Sequence, residues 1–485
     1  MRKYLLLLLT TLLLQPFYAA DHPKREIRAV WIMTFYGEDW PKTTATNEIS
    51  RKRQQQELCD KLDMLQAANF NTVFLQVRLR GDVIYPSAIE PMNKVFSGKY
   101  DVSPGYDPLA FAIEECHKRG LECHAWFVTY PLGQGKKTAV KKRPELCKLH
   151  EKEWYLDPGM PGTTDYLLSL VKEVVTNYDI DGIQFDYIRY PEKAETFPDK
   201  DTYARYGNSL GLAAWRRDNI NRTVTRIYDW VKQAKPWVQV SSSPLGKYNR
   251  IPRVPNAGWT SYETVHQDPQ LWLKQGKHDM IAPMMYYKYD NFYPFVDNWT
   301  ENTNGRLFIS GLGTYRMRTK DGDWSLYDIA EQMEYLRKSN ANGVAFFRAS
   351  QVFGDTKGLY KMLKSKYFKY PALLPPLTWL SKERPEAPLN VRVERAGKDL
   401  KISWRKPTDT TQPLTYTIYY STNGTVNPNR AENILATGIR DTEVYLTVNS
   451  EKEQEYSFRV TASSRYHIES KPSREIYYYF SRYSK

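Results

Sequence analysis

From about Arg25 to Lys366, short apolar runs alternate with segments of helical periodicity. "REIRAVWIM" precedes a helical pattern over Gln54 to Ala67, and "NTVFLQVRL" precedes one over Pro108 to Arg119. "LECHAWFV" leads to a helix near Thr164 to Asn177, then to "IDGIQFDYI" and the long amphipathic stretch "WRRDNINRTVTRIYDWVKQA". "VQVSSSPLG", a short helix near Pro269 to Gln275, "DMIAPMMYY", "RLFISGLGTY", the helix "SLYDIAEQMEYLRKS", "GVAFFRAS" and a last helix near Leu359 to Lys366 complete the series. Eight strands, each followed by a helix-compatible segment, imply a parallel sheet with crossover helices. Eight such units in about 340 residues predict a (β/α)8 TIM barrel with enlarged loops. A doubly wound sheet is the alternative, but no glycine-rich phosphate fingerprint follows the first strand.

The pattern changes after "YPALLPPLTWLSKERPEAP". This proline-rich composition predicts a linker over residues 371–384, ending a barrel domain of 21–370. Seven short alternating strands without helices then fill 385–482: "LNVRVERAG", "DLKISWRKP", "LTYTIYYST", "NILATGI", "EVYLTV", "EYSFRVTASS" and "REIYYYF". Such a run describes a β-sandwich. Trp404, the "TYTIYY" strand and "YSFRVTA" resemble a fibronectin type III domain, with Tyr456 expected to supply its tyrosine-corner hydroxyl. The sandwich holds no concentrated set of reactive groups, so its expected role is to pack, space or bind.

The first residues, "MRKYLLLLLTTLLLQPFYAAD", combine a basic start, a leucine run and a small-residue site at Ala19-Ala20. They predict a signal peptide over residues 1–20, an exported protein of the periplasm or exterior, and a run too short for a transmembrane anchor. No cysteine near the cut suggests a lipoprotein. Cleavage before Asp21 would remove Arg2 and Lys3 and lower the formal charge from +14 to +12. A strongly basic exported protein favours anionic partners such as cell-wall polymers and acidic polysaccharides. Its basic residues are dispersed apart from "GQGKKTAVKKRPE", and no nucleic-acid-binding signature is present, so nucleic acid is not expected. The spacing of Cys59, Cys116, Cys123 and Cys147 fits no disulfide framework, and buried free thiols are the plain reading. No metal or other cofactor is expected.

Barrel enzymes carry their chemistry where strands end, so strand-terminal polar residues are the candidates. "DIDGIQFDYIRYP" puts Gln184 and Asp186 on one side of strand four, with Ile183, Phe185 and Tyr187 on the other. Asp186 is the first candidate for a catalytic carboxylate; a loop-pinning Asp–Arg pair is the equally weighted plain reading. Asp181 reads as a local cap or pair, and Arg189 and Glu192 belong to the next loop. Strand two offers Gln76 and Arg78, then Asp82; a buried arginine needs a carboxylate or an anionic ligand. Asp39, Trp126, Tyr286, Tyr287 and Asp290 stand after strands one, three and six. Aromatic rings at a barrel mouth suit sugar faces, although each ring taken singly reads as core. His124 reads as a satisfied core histidine.

No serine triad, phosphate cradle or HExxH metal motif is present. Carboxylates amid aromatics instead suggest glycosidic-bond cleavage, which uses one acid and a second carboxylate across the ring. Asp186 supplies one, and Asp39, Asp82, Glu192 and Asp290 are candidates for the other. Gln76, Arg78, Trp126, Gln184, Tyr187, Arg189, Tyr286 and Tyr287 are the candidate substrate contacts.

The ordered blocks "RAVWIMTFYGEDWP", "FLQVRLRGDVIYPS", "GYDPLAFAIEECHKRGLECHAWF", "DGIQFDYIRYP", "WRRDNIN", "SSSPLG", "WLKQGKHDMIAPMMYY" and "GLGTYRM" resemble the glycosyl-hydrolase-like 10 family, also called domain of unknown function 187. The resemblance covers about Arg25 to Lys366. It implies a barrel glycoside hydrolase of bacterial envelopes, acting on peptidoglycan glycan strands that have lost their stem peptides. The family's strand-four motif commonly has two adjacent acids; the first matches Asp186, and Tyr187 stands at the second, so only Asp186 carries over. Stripped glycan exposes a lactyl carboxylate on each muramic residue, which Arg78 or Arg189 would receive bidentately. Hydrolysis of another polysaccharide and noncatalytic glycan binding are the alternative readings.

Overall fold

A computed structural model describes residues 22–481 apart from 136, 208, 409–411 and 448–452. The predicted signal segment lies outside the described residues. Among those described, no helix is long and apolar enough to cross a membrane.

Eight parallel strands close into a barrel in chain order: β1 (Ile27–Ile32), β2 (Thr72–Arg78), β3 (Glu122–Val128), β4 (Gly182–Asp186), β5 (Gln239–Ser243), β6 (Met280–Ile281), β7 (Leu307–Leu312) and β8 (Gly343–Phe346). Closure comes from β1 pairing with β8, Ile27 opposite Gly343, and with β2, Ala29 opposite Thr72. A crossover helix follows each strand, with short extra helices in some loops: α1 (Glu48–Ala67), α2 (Pro108–Lys118), α3 (Pro161–Asn177), α4 (Leu212–Ala234), α5 (Pro269–Lys274), α6 (Tyr293–Glu301), α7 (Leu326–Lys338) and α8 (Leu359–Met362). The (β/α)8 expectation is met. Local chemistry sets the helix starts: Asp107 caps α2 ahead of Pro108, and Ser325 with Asp328 forms a capping box on α7. Strand β6 is only two residues long, because Pro283 lacks the N–H that a longer ladder would need.

The connection from β3 to α3 carries a small antiparallel sheet of Pro131–Gly133, Glu153–Leu156 and Cys147–His150, which the sequence pattern hid inside an enlarged loop. All four cysteines are free thiols, three of them buried. Strand alternation sends Ile183 and Phe185 outward to the helices, and Gln184 inward, where it accepts the Trp31 indole N–H at 2.8 Å. Gly182 is small for a reason. A Cβ there would lie 2.2 Å from His124 Nδ1, so the imidazole fills the space a side chain would take.

The floor of the barrel is closed by the stretch expected to be a linker. Leu377 is fully buried among Ile27, Ala29, Met280 and Leu307, with Leu374, Trp379 and Leu380 packed around it. Trp379 Nε1 donates to Asp279 Oδ1 at 2.9 Å, and Glu26 and Leu373 extend the contact through backbone hydrogen bonds. Proline here fixes a route without demanding ladder partners. Its first half is a plug.

Beyond it lies the expected all-β unit, with sheets β9–β10–β13 (Leu389–Ala396, Asp399–Arg405, Glu443–Thr447) and β12–β11–β14–β15 (Ile434–Ile439, Thr415–Ser421, Gln454–Ser463, Ile476–Phe480). Trp404 packs edge-on against Tyr416 in its core, and Tyr456 stacks on Phe458. The unit docks on the barrel floor: His467 Nε2 meets Glu122 Oε1 at 2.6 Å, and Glu469 pairs with both Lys24 and Arg25 at 2.8 Å.

If Leu377 closes the floor, Leu377→Ala lowers global stability by about 2–5 kcal/mol, the range for emptying a leucine site that relaxes little. Urea unfolding followed by tryptophan fluorescence measures this; a loss below about 1 kcal/mol would mean the floor is not packed.

Candidate active site

Strand β4 ends at Asp186, and the chain turns sharply because Tyr187 adopts a left-handed backbone, φ 51°. That turn breaks the strand alternation. Tyr187 therefore does not join Ile183 and Phe185 beneath the helices as the periodicity predicted. Its ring lies under the Arg189 guanidinium instead, 4.6 Å from ring centre to carbon. Asp181, expected to cap or pair locally, instead bridges to other elements: its Oδ2 contacts His117 Nε2 of α2 and accepts the Cys123 N–H of β3, each at 2.8 Å.

Asp186 is buried at the barrel mouth. Its backbone carbonyl accepts the N–H and hydroxyl of Thr129 at 2.9 and 2.8 Å, which fixes the end of β4 to the end of β3. One carboxylate oxygen accepts the Tyr187 N–H at 2.8 Å. Burial pushes the carboxyl up to about 6, against the opposing pull of Arg189, of the Tyr187 N–H, and of Ser243 and Trp126. Ser243 Oγ and Trp126 Nε1 are themselves buried and complete no hydrogen bond within the protein. Buried donors in that state are expected to find a partner in a ligand or in the acid they face.

Aromatic residues from three further strand ends complete the wall. Tyr286, after β6, stacks on Phe347, after β8, at 5.5 Å and 12° between planes, while Tyr315, after β7, meets both edge-on. Burial, and next the Asp186 charge, hold the Tyr286 phenol well above its ordinary pKa, so it stays a neutral donor. Tyr287 points to a different partner: Lys247 Nζ lies 4.8 Å over its ring.

The two amides that the sequence offered have positioning work. Gln76 Oε1 accepts the Thr34 and Phe35 N–H groups at 3.1 and 2.9 Å, and so holds the loop after β1. Gln184 spans the lumen to Trp31, leaving its buried Nε2 without a protein partner.

The two arginines separate sharply. Arg78 is fully buried and paired twice to Glu90, at 2.8 and 2.6 Å. Its Nη1 donates to the carbonyls of Val128 and, at 2.8 Å, Thr129. This corrects the expectation that Arg78 receives substrate: its guanidinium is spent on the scaffold. Arg189 is buried too, but its Nε has no protein partner and its Nη contacts are long, 3.3 Å to the Tyr190 carbonyl and 3.7 Å to Glu192.

The four acids considered as partners of Asp186 also divide. Asp82 is locked between Lys137 Nζ at 2.7 Å and Asn93 Nδ2 at 2.8 Å. Asp39 is buried beneath the β1 loop, where it accepts the Met33 N–H at 2.8 Å; burial raises it to about 6, opposed by that N–H and by Arg348. Asp82 is thereby spent on holding its loop, whereas Asp39 holds the β1 loop through one oxygen and keeps its other oxygen buried without a protein partner. Asp290 is exposed on a short turn after β6. Glu192 is exposed at the rim and joined to Asp186 through their common neighbour Arg189. His124 contacts Glu122 at 3.0 Å through one ring nitrogen, while its other nitrogen is buried without a partner.

Sequence reasoning missed Ser243, Tyr315, Phe347 and Arg348, which pairs with Glu38 at 3.0 Å. All stand at or just after the ends of β5, β7 and β8, in "SSSP", "GLGTY" and "AFFR". The rule that nominated Asp186 would have found them had it been applied to every strand.

A parallel eight-stranded barrel with a buried acid and an aromatic wall at its C-terminal mouth is the frame of many sugar-cleaving enzymes. Residues 26–304 match the model of the family described as glycosyl hydrolase-like 10, and the chain belongs to that family. It is 31% identical to glycosyl hydrolase YngK of Bacillus subtilis, over 95% of this chain and 94% of that one. It is 32% identical to glycosyl hydrolase DigH of Escherichia coli K12, over 62% of this chain and 76% of the relative. An α-L-fucosidase from Paenibacillus thiaminolyticus superposes with a TM-score of 0.47 at 16% identity, over 72% of this chain and 49% of that one. A likeness of that size speaks to neither substrate nor site.

The contrast between the arginines is measurable. Arg78→Gln should destabilise by about 3–5 kcal/mol, since it strands the buried Glu90 carboxylate. Arg189→Gln should stay within about 1 kcal/mol, because it breaks no completed ion pair of comparable geometry. Chemical denaturation of both variants decides it, and equal losses would erase the distinction.

Proposed function

We propose that this protein hydrolyses glycosidic bonds in peptidoglycan-type glycan strands that have lost their stem peptides, in the periplasm or outside the cell. The observation that carries the reading is Asp186: a carboxylic acid at the end of β4, raised to about 6 and facing an aromatic wall. Near neutral pH an ordinary aspartate has no proton to give. One raised to this range is protonated often enough to donate to a leaving glycosidic oxygen. The neighbouring Ser243, Trp126 and Tyr286 supply donors that orient the acid and the sugar. The Tyr286–Phe347 stack offers ring faces to sugar C–H groups.

Glu192 is the second carboxylate we assign, because it is accessible and shares Arg189 with Asp186. Arg189 has an under-used guanidinium at the mouth, suited to a substrate carboxylate. Peptide-stripped glycan carries such a carboxylate on every muramic residue, and a formal charge of +12 once Arg2 and Lys3 are removed from the +14 of the whole chain favours its capture. The family and the two named relatives support glycoside hydrolysis. The glycan class rests on Arg189 and the charge.

The test is mass spectrometry of products from peptide-free strands and from intact sacculi. Wild type should release soluble oligosaccharides from the stripped strands, Asp186→Asn none, and Glu192→Gln at least about 100-fold less, the scale of lost acid–base catalysis. Products from Asp186→Asn at the wild-type rate would remove the acid; wild-type rates from Glu192→Gln would turn attention to Asp290. No products from wild type on either substrate would overturn the substrate class.

The same shift predicts two pH effects. As proton donor, Asp186 makes kcat/KM fall as pH rises through about 6. Its folded pKa lies above the unfolded value, so the native state binds the extra proton between them and stability declines as pH rises across that interval. Asp186→Asn should therefore raise Tm at pH 7, with the gain shrinking as pH approaches 4. A pH-independent change in Tm would contradict the burial of this charge.

A further inference from the structure

On the floor side of the barrel, opposite the mouth, a cleft of about 400 Å³ lies between barrel, plug and sandwich. That volume is within the range of small-molecule sites, roughly 300–1,000 Å³. Its barrel wall carries two acids, Glu122 and Asp181, and both are already engaged. Glu122 is contacted by His124 and His467, and Asp181 Oδ2 by His117 and the Cys123 N–H. Its sandwich wall carries cations with less to hold. Arg440 reaches Asp179 only at 3.4 Å and Asp181 at 3.5 Å, well beyond the 2.7–2.9 Å of a strong charged hydrogen bond. Asp179 has a closer partner in Arg465. Lys406 stands exposed at the rim.

With the acids spent and two cations loosely held, the field left in the cleft is positive. The remaining lining mixes apolar surface, Trp237 and Leu414, with the amide and hydroxyls of Gln412, Thr415 and Ser464. Apolar faces beside neutral hydrogen-bonding groups suit a sugar ring, whose C–H faces and hydroxyls alternate. We infer that this interdomain cleft is a second binding site for a carboxylate-bearing sugar unit, with Arg440 and Lys406 receiving the carboxylate. The lining alone selects the ligand class, so a failure of hydrolysis at the mouth would leave this expectation standing.

Because the cleft and the mouth lie at opposite ends of the barrel strands, a short oligosaccharide reaches one of them only. A long polyanionic strand, or a mesh of strands, can engage both. The second contact then becomes intramolecular and raises retention without any change at the catalytic end.

The test titrates the full-length protein with N-acetylmuramic acid, following the Trp237 indole resonance by NMR, with Trp237→Phe supplying the assignment. Saturable shifts are expected in wild type and equally in Asp186→Asn. They should weaken at least fivefold in Arg440→Gln/Lys406→Gln, and weaken likewise when N-acetylglucosamine or lactate alone is the titrant. An unchanged melting temperature in the double variant, with Arg440→Lys restoring part of the affinity, ties the loss to charge. No saturable shift, or affinity unaffected by the double variant, overturns the site. Equal binding of lactate would make it an anion hole with no sugar selectivity, and equal binding of N-acetylglucosamine would remove the carboxylate from the recognition; either result overturns the inference.

Discussion

The barrel mouth is organised around one buried ion pair. Arg78, at the end of β2, holds Glu90 with two hydrogen bonds and spends its other face on the carbonyls that end β3. Glu90 in turn accepts the Tyr166 hydroxyl of α3 at 2.8 Å, so the pair fastens two strands, a loop and a helix at a single point. Thr129, gripped through its carbonyl, then holds the Asp186 carbonyl with its own N–H and hydroxyl. The position of the candidate acid is thus inherited from a charge pair that never meets solvent. Desolvating two ions is costly, and only the completeness of their hydrogen bonds offsets it. Such a pair tolerates few geometries, which makes it a good fixed reference for the strand ends around it.

How much of this could be read from the chain depended on what each feature answers to. The barrel was legible because eight apolar runs and the seven helical patterns named between and after them are local signals, as was the sandwich with its seven alternating strands; the helix Tyr293–Glu301 went unnamed. Asp186 was legible because an acid at the end of a buried strand is anomalous in any fold. Arg78 and Arg189 looked alike in sequence, because both follow an apolar run; what separates them is Glu90, twelve residues from one and in contact only after folding. Tyr187 was misplaced since period-two alternation has no way to announce a left-handed turn. Asp82 was indistinguishable from an active acid until Asn93 and Lys137 were found against it.

Asp186 itself sits at odds with the stability of the molecule that holds it. An uncharged side chain of the same shape would be easier to bury, and the surrounding Trp126, Ser243 and Gln184 carry buried donors that complete no hydrogen bond of good geometry within the protein. Unused donors and a disfavoured charge in one cavity mark a place kept incomplete. That pattern is what a ligand-completed site requires, and it contrasts with the saturated network around Arg78, to which it is joined through Thr129.

The plug has a consequence for where this protein can be divided. Composition puts a seam at residue 371, where proline becomes frequent and the helices stop. Packing puts it later, since Leu374, Leu377, Trp379 and Leu380 belong to the barrel's interior and only the residues after them run free of it. A fragment ended at the compositional seam would open the lumen to water from below, next to Met280 and Leu307. One ended after Leu380 would keep the plug and lose the docked sheets together with Tyr466, which packs against the floor and accepts the Leu377 N–H. The same short segment makes the barrel's closure depend on chain that an evolutionary swap of the sandwich would have to carry along, so the transferable module at this end begins inside the apparent linker.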